Sequence, residues 1–267
     1  MMEMLHFEFM RNALMAGLLA SLICGIIGTL VVVNRIVFIS GGIAHASYGG
    51  VGLAFFFGLP VLPVTTGFTL CAALVMALVT LRARERADTV IGVIWAAGMA
   101  LGIILLDLSP GYNVDLMSYL FGSILAVPRS DLWVMVGLAC LVAGLVLAFY
   151  RGFLAMSFDE EFARARGVPV DALYCLLISM VALSVVMVIR VVGLILVIAL
   201  LTIPPFIAER RTRSLGAMMV LSALLSAVFT VAGLAVSYLA DITSGASIIA
   251  VASVGFFASL LLPRKAS

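Results

Sequence analysis

Nine apolar stretches without one Asp, Glu, Lys or Arg follow each other along the chain, at residues 13–33, 42–58, 64–81, 89–106, 132–149, 172–189, 191–207, 215–239 and 246–262. A helical crossing of a bilayer takes about 20 mostly apolar residues. Backbone in lipid must also satisfy its own hydrogen bonds, so such stretches are expected as helices. Of the 267 residues 65% are hydrophobic and 10% charged, which leaves no room for a sizeable soluble domain. The expectation is an all-α polytopic protein, a single membrane domain over residues 1–267 with about nine transmembrane helices. A tenth apolar piece, LMSYLFGSILAV at 116–127, is too short to cross and is expected to lie re-entrant or along the outer interface.

Arginine and lysine orient the chain, because loops rich in them stay in the cytoplasm. With nine crossings the inner loops hold Arg35, Arg82, Arg84, Arg86, Arg151, Arg164, Arg166, Arg210, Arg211, Arg213, Arg264 and Lys265, leaving Arg11, Arg129 and Arg190 outside. A tenth crossing at 116–127 worsens that split. The N-terminus is therefore expected outside and the C-terminus inside. The opening MMEMLHFEFM carries Glu3 and Glu8 and no basic leader, so no cleaved signal peptide is expected. Net charge is +2, which gives no reason to expect nucleic acid as a partner. Cys24, Cys71, Cys140 and Cys175 all lie in apolar runs with no CxxC spacing, and are expected to fill space rather than form disulfides or bind metal.

Small residues recur every fourth position in two spans: Gly17, Ser21, Gly25 and Thr29 in the first, Gly42, Ala46, Gly50, Ala54 and Gly58 in the second. Such stripes let helix backbones approach closely in lipid, so tight packing inside the subunit is the first reading. A subunit interface or a translocation path is the other.

SFDEEFARARGV, residues 157–168, breaks the apolar pattern on the arginine-rich side. Glu160 and Arg164 stand at i and i+4, and Asp159 and Glu160 fall at the positive end of a short helix. Phe158, Phe162 and Ala163 add an apolar contact surface, and Gly167 followed by Pro169 supplies a stop. Two turns of amphipathic helix fit. A loop that merely fixes orientation has no need for three consecutive carboxylates beside a phenylalanine pair, so docking onto a cytoplasmic partner stands beside the solvated-loop reading.

SFDEEFARARGVPV resembles the segment that permeases of the metal-ion importer class of ATP-binding-cassette (ABC) transporters use as a cytoplasmic coupling helix. GGIAHASYGGVGLAFFFGLP (41–60), VVGLILVIALLTIPPFIAERR (191–211), SYLADITSGASI (237–248) and the short LFGSILAV (120–127) are similar to other segments of that family, in the same order over nearly the whole chain. The resemblance implies a membrane-spanning permease subunit of an ATP-driven importer of divalent transition-metal ions, zinc or manganese, with iron next. It also implies a permease homodimer, cytoplasmic ABC ATPase subunits, an extracytoplasmic metal-binding protein and a place in the bacterial plasma (inner) membrane. Coupling to the ATPase would then fall to Asp159, Glu160, Glu161, Phe162, Arg164 and Gly167. One position departs from the pattern. Many zinc and manganese members carry an Asp four residues before the histidine of the AHA-like motif, where this chain has Gly41 ahead of His45.

His45 is an ionisable group inside a span, which makes it a pathway candidate beside the reading as a packing histidine. Asp107 and Asp115 flank LSPGYNV on the outer side, with Asp131 and Asp241 also there, and carboxylates at a pore mouth concentrate cations. Ordinary solvated acids are the competing account. His45, Asp107 and Asp115 are accordingly the candidate transient metal ligands. Arg190 is expected to snorkel to the outer interface, or with Arg129 to receive a docking binding protein. ERRTRS (209–214) reads as an inner anchor, and Pro204-Pro205 is expected to break or bend its span.

The chain has no GxxxxGK[ST] phosphate loop, so no cofactor is expected on it and ATP belongs on a partner subunit. His45 and Ser47 sit two helical positions apart and face different sides, and no HExxH or GxSxG pattern occurs, so an enzyme is not expected. A gradient-driven secondary transporter, or an ABC permease for a non-metal or chelated substrate, is the alternative.

Overall fold

The structure is a computed structural model and describes residues 8–83, 86–109, 124 and 127–261. Among these residues it is all helix, in the order α1 (Glu8–Val33), α2 (Val37–Phe56), α3 (Val61–Arg82), α4 (Ala87–Asp107), α5 (Arg129–Ala148), α6 (Tyr150–Phe158), α7 (Glu160–Ala165), α8 (Val170–Val192), α9 (Leu194–Glu209), α10 (Leu215–Ala240) and α11 (Ser244–Leu261). Each of the nine apolar stretches forms one of these helices. Seven of them, α1, α3, α4, α5, α8, α10 and α11, are long and apolar enough to cross a membrane by themselves. α9 has 16 residues, and α2, with 20, is diluted by His45 and its glycines. The short piece at 116–127 lies almost wholly outside the described residues, of which only the buried Ile124 and Val127 belong to it.

The helices form two compact units. One comprises residues 1–34, 117–150 and 187–267, the other residues 35–116 and 151–186. In the first, α1 packs chiefly on α10, then on α9 and α5, while α9, α10 and α11 pack on one another. In the second, α2 packs on α4 and α3. Large apolar side chains on the outside, such as Val93, Trp133, Leu147 and Val254, are 62%, 76%, 76% and 70% exposed, as expected where lipid is the solvent.

The small-residue stripes account for both contacts. A Cβ on Gly25 would come within 2.5 Å of the Ala223 backbone, and one on Gly17 within 2.6 Å of Thr230. One turn along α1, the Ser21 hydroxyl meets the Thr230 hydroxyl at 3.1 Å while donating to the Gly17 carbonyl. On α2, Gly50 faces Thr65 of α3, whereas Gly52 faces Gly102 of α4 with only 2.5 Å to spare for a Cβ. Gly98 in turn lies against Ala46. Packing inside each unit is thus what most of the stripe positions do, while Gly58 at the end of the second meets no atom within 4 Å.

The expected break at Pro204-Pro205 is absent: α9 continues through both prolines. Proline at 205 removes the N–H that would have bonded the Leu201 carbonyl. That carbonyl lies 2.6 Å from where a Cβ on Gly28 would stand, so a bare α1 backbone packs over it. Buried packing rather than propensity holds the helix through the pair.

Candidate coupling helix and ion pathway

α7 is built by local signals at both ends. The Asp159 carboxylate accepts from the Phe162 N–H at 2.9 Å, an N-cap bond that satisfies one of the orphan donors of the first turn. At the other end Gly167 takes φ +80°, a left-handed conformation that costs glycine little, and the N–H groups of Gly167 and Val168 return to the carbonyls of Arg164 and Ala163, both at 3.0 Å. The result is a short, tightly capped helix joined to α6 and α8.

Its faces are sorted. Phe158 and Phe162 are 84% and 60% exposed, and Arg166 covers the Phe162 ring at 5.5 Å. Ala163 is the correction to the expected surface: it is buried, because one helical step from Phe162 turns it about 100° toward the body. Arg164 reaches both ways, to Glu160 at 3.0 Å within α7 and to Asp171 in the first turn of α8. Hydrogen bonds that it donates to Asp171 first and Glu160 second hold its guanidinium above the usual range, so it keeps its charge at any physiological pH. A shallow cleft lined by Arg164, Pro169, Asp171 and Ala172 opens beside it. Asp159, Glu160, Glu161, Phe162, Arg164 and Gly167 therefore share one small exposed element. Asp171 is the member that the sequence reading missed; its signal was a lone acid at the start of a charge-free span.

The pathway candidates are not assembled in the same way. His45 is half-buried on α2, its Nδ1 3.2 Å from Sδ of Met99 and its ring stacked on Trp95 at 4.2 Å between centroids. Asp107 is the exposed last residue of α4, eight positions beyond Met99, or about 12 Å along the helix axis. The two are therefore not brought together, and Asp115 lies outside the described residues. Among the described residues no three His, Cys, Asp or Glu side chains converge as a metal cage. A Cβ at Gly41, one turn before His45, would meet no atom within 4 Å, so the position that lacks the family's carboxylate faces open space.

On the expected outer side, Asp131 is buried and pairs at 3.0 Å with Arg190, itself 46% exposed, which corrects the reading of Asp131 as a solvated acid. Arg129 is taken by Glu8 at 2.8 Å, with both side chains more than half exposed. Asp241 caps α10 in a left-handed conformation at φ 53°. All four cysteines are free thiols.

A multi-helix membrane protein that presents one capped, acidic and aromatic helix fits the class of a transport permease. The chain belongs to the ABC 3 transport family, whose model matches residues 6–263. It is a multi-pass protein of the plasma membrane. It is 51% identical to an uncharacterized membrane protein of Synechocystis sp., covering 99% of this chain and 94% of that one. It is 36% identical to the manganese transport system membrane protein MntC of Halalkalibacterium halodurans, over 98% and 90% of the two chains. Among solved structures it is similar to PsaBC from Streptococcus pneumoniae in complex with Fab, with a TM-score of 0.86, 32% identity and coverage of 97% and 93%.

Proposed function

We propose that this chain is the permease subunit of an ATP-driven importer of a divalent transition-metal cation, with manganese ahead of zinc and iron. It works as a homodimer of nine-span subunits with two cytoplasmic ATPase subunits and an extracytoplasmic binding protein. The observation that carries this reading is α7. A two-turn helix capped at both ends, with Phe158 and Phe162 exposed beside three carboxylates, is a docking knob rather than a linker. The manganese relatives support the choice of ion.

Closure of the ATPase dimer presses on α7, and Arg164 with Asp171 passes the displacement to the start of α8. His45, Asp107 and Asp115 act as separate, weak ligands along the route. An ion handed between incomplete sites leaves each one readily, whereas a complete ligand set would trap it. Manganese takes oxygen donors in preference to sulfur, so the two outer aspartates are the better hosts and His45 the poorer one.

Affinity purification of the tagged chain from its own membranes tests this reading together with manganese uptake in a strain lacking the chain. Retention of an ATPase subunit and restored ATP-dependent uptake are expected. Purification without any ATPase, alongside uptake that follows a proton or sodium gradient, overturns it in favour of a secondary carrier.

A further inference from the structure

The surroundings of His45 suit a cation of a different kind from manganese. Among the described residues, the polar contact of its ring is with sulfur, the Met99 thioether at 3.2 Å from Nδ1. Trp95, one turn before Met99 on α4, lies parallel to the imidazole with an interplanar angle of 13°, and Phe38 leans on Trp95 with centroids 6.0 Å apart. One turn before His45 there is room: a Cβ built on Gly41 meets no atom within 4 Å. Imidazole nitrogen and thioether sulfur thus converge next to an aromatic face and free space, with no carboxylate at the neighbouring turn of α2.

Hard-soft matching decides what such a donor set takes. Thioether sulfur is a poor ligand for manganese and a good one for Cu(I) and its close chemical stand-in Ag(I), and imidazole accepts either class. Two donors leave such an ion coordinatively open, and a π face over the open side is attractive to a cation. Met99 has three rotatable bonds and can draw back to admit the ion between Sδ and Nδ1. The imidazole proton then sits on Nε2, leaving the Nδ1 lone pair for the metal.

We propose that His45 and Met99 form a chelate for a soft monovalent cation, Cu(I) or Ag(I), next to the Trp95 ring stacked on the imidazole. Met99 thereby makes this permease sensitive to soft metals. Binding stands on the side-chain geometry alone, while the block of uptake rests on the manganese-import reading.

Ag(I) is the probe, since it needs no reductant. The full chain is purified in detergent with its four cysteines changed to alanine, because thiols bind silver, and with Trp133→Phe, which leaves Trp95 as the only tryptophan. Titration with Ag(I) should change Trp95 fluorescence and saturate near one ion per chain. Met99→Leu, similar in volume and lacking sulfur, should raise the half-saturating concentration at least about tenfold, as should His45→Gln, tenfold being the effect of one lost modest ligand. A response that is absent, or unchanged in both variants, overturns the chelate. If Met99→Leu fails to give monodisperse protein, His45→Gln decides alone. In cells, Ag(I) should inhibit manganese uptake through the wild-type chain and spare Met99→Leu. Silver binding in the purified chain without manganese uptake in cells would sink the import reading and leave the chelate standing.

Discussion

Arg164 of α7 holds Asp171 in the first turn of α8, while also holding Glu160 of its own helix. An ion pair this exposed contributes little to stability. Its value is geometric: it ties a docking helix to the end of a long apolar helix across the short segment 166–169. Asp171→Asn should therefore leave the ATPase bound and hydrolysing while metal uptake per ATP falls several-fold, by the logic that a lost coupling contact changes linkage rather than affinity. Arg164→Asp combined with Asp171→Arg should recover part of that ratio. Equal losses of uptake and hydrolysis in Asp171→Asn would assign the pair to folding instead.

The exposed aromatic pair makes a different prediction. Glu160→Ala with Phe162→Ala removes both the acid and the ring from the docking face without touching buried Ala163 or the Asp159 cap. The permease should insert at its normal level and either lose the ATPase on co-purification or hydrolyse ATP without uptake. Unchanged uptake removes α7 from coupling.

His45→Ala takes away a half-buried ring whose neighbours are Met99 and Trp95. Manganese uptake should fall while the amount of membrane-inserted protein stays level, read by transport of radioactive manganese against an immunoblot. Equal uptake would return His45 to a packing role.

Asp131 and Arg190 predict an asymmetry. Arg190→Ala leaves a buried carboxylate with only the neighbouring Ser130 hydroxyl at 3.4 Å among its described side-chain partners, whereas Asp131→Ala frees an arginine that is 46% exposed and can reach water. Breaking a buried pair costs about 3–5 kcal/mol, and partial exposure here lowers that to roughly 1–2 kcal/mol for Arg190→Ala. Thermal unfolding in detergent should show Arg190→Ala as the less stable variant, and the reverse order would mean that Asp131 finds other partners.

Glycine substitutions on α1 and α5 test the packing. Gly25→Ala pushes a methyl to within 2.5 Å of the Ala223 backbone and should cost about 1–3 kcal/mol, while Gly137→Ala meets no atom within 4 Å and should be neutral. The yield of monodisperse protein separates the two.

What could be read from the sequence follows the dimension of the signal. Exclusion of charge from lipid acts along the chain, and so the apolar stretches already marked their helices, α2 and α9 included. Capping is equally local: Asp159 and Gly167 stand at the ends of α7 where the spacing of DEEFARARG puts them. Pairings between distant positions carry no such mark. Asp131 meets Arg190, and His45 meets Met99, only once helices far apart in the chain lie side by side. Ala163 was misplaced because a two-turn helix has too few residues for its apolar face to be read by periodicity. The prolines of α9 do not break it, because the rule against them weighs a lost N–H bond and a clash, while Gly28 of α1 offers a close backbone that the rule omits.

At Ala46, Gly52, Gly98 and Gly102, α2 and α4 come together largely backbone to backbone, with the Tyr48 side chain beside Gly102. Interlocking side chains can adapt to a changed neighbour by switching rotamer, and bare main chain has no such freedom. Drift at these four sites must accordingly come in matched steps, a methyl gained on one helix answered by one lost on the other, so homologous sequences should show them varying in pairs or not at all.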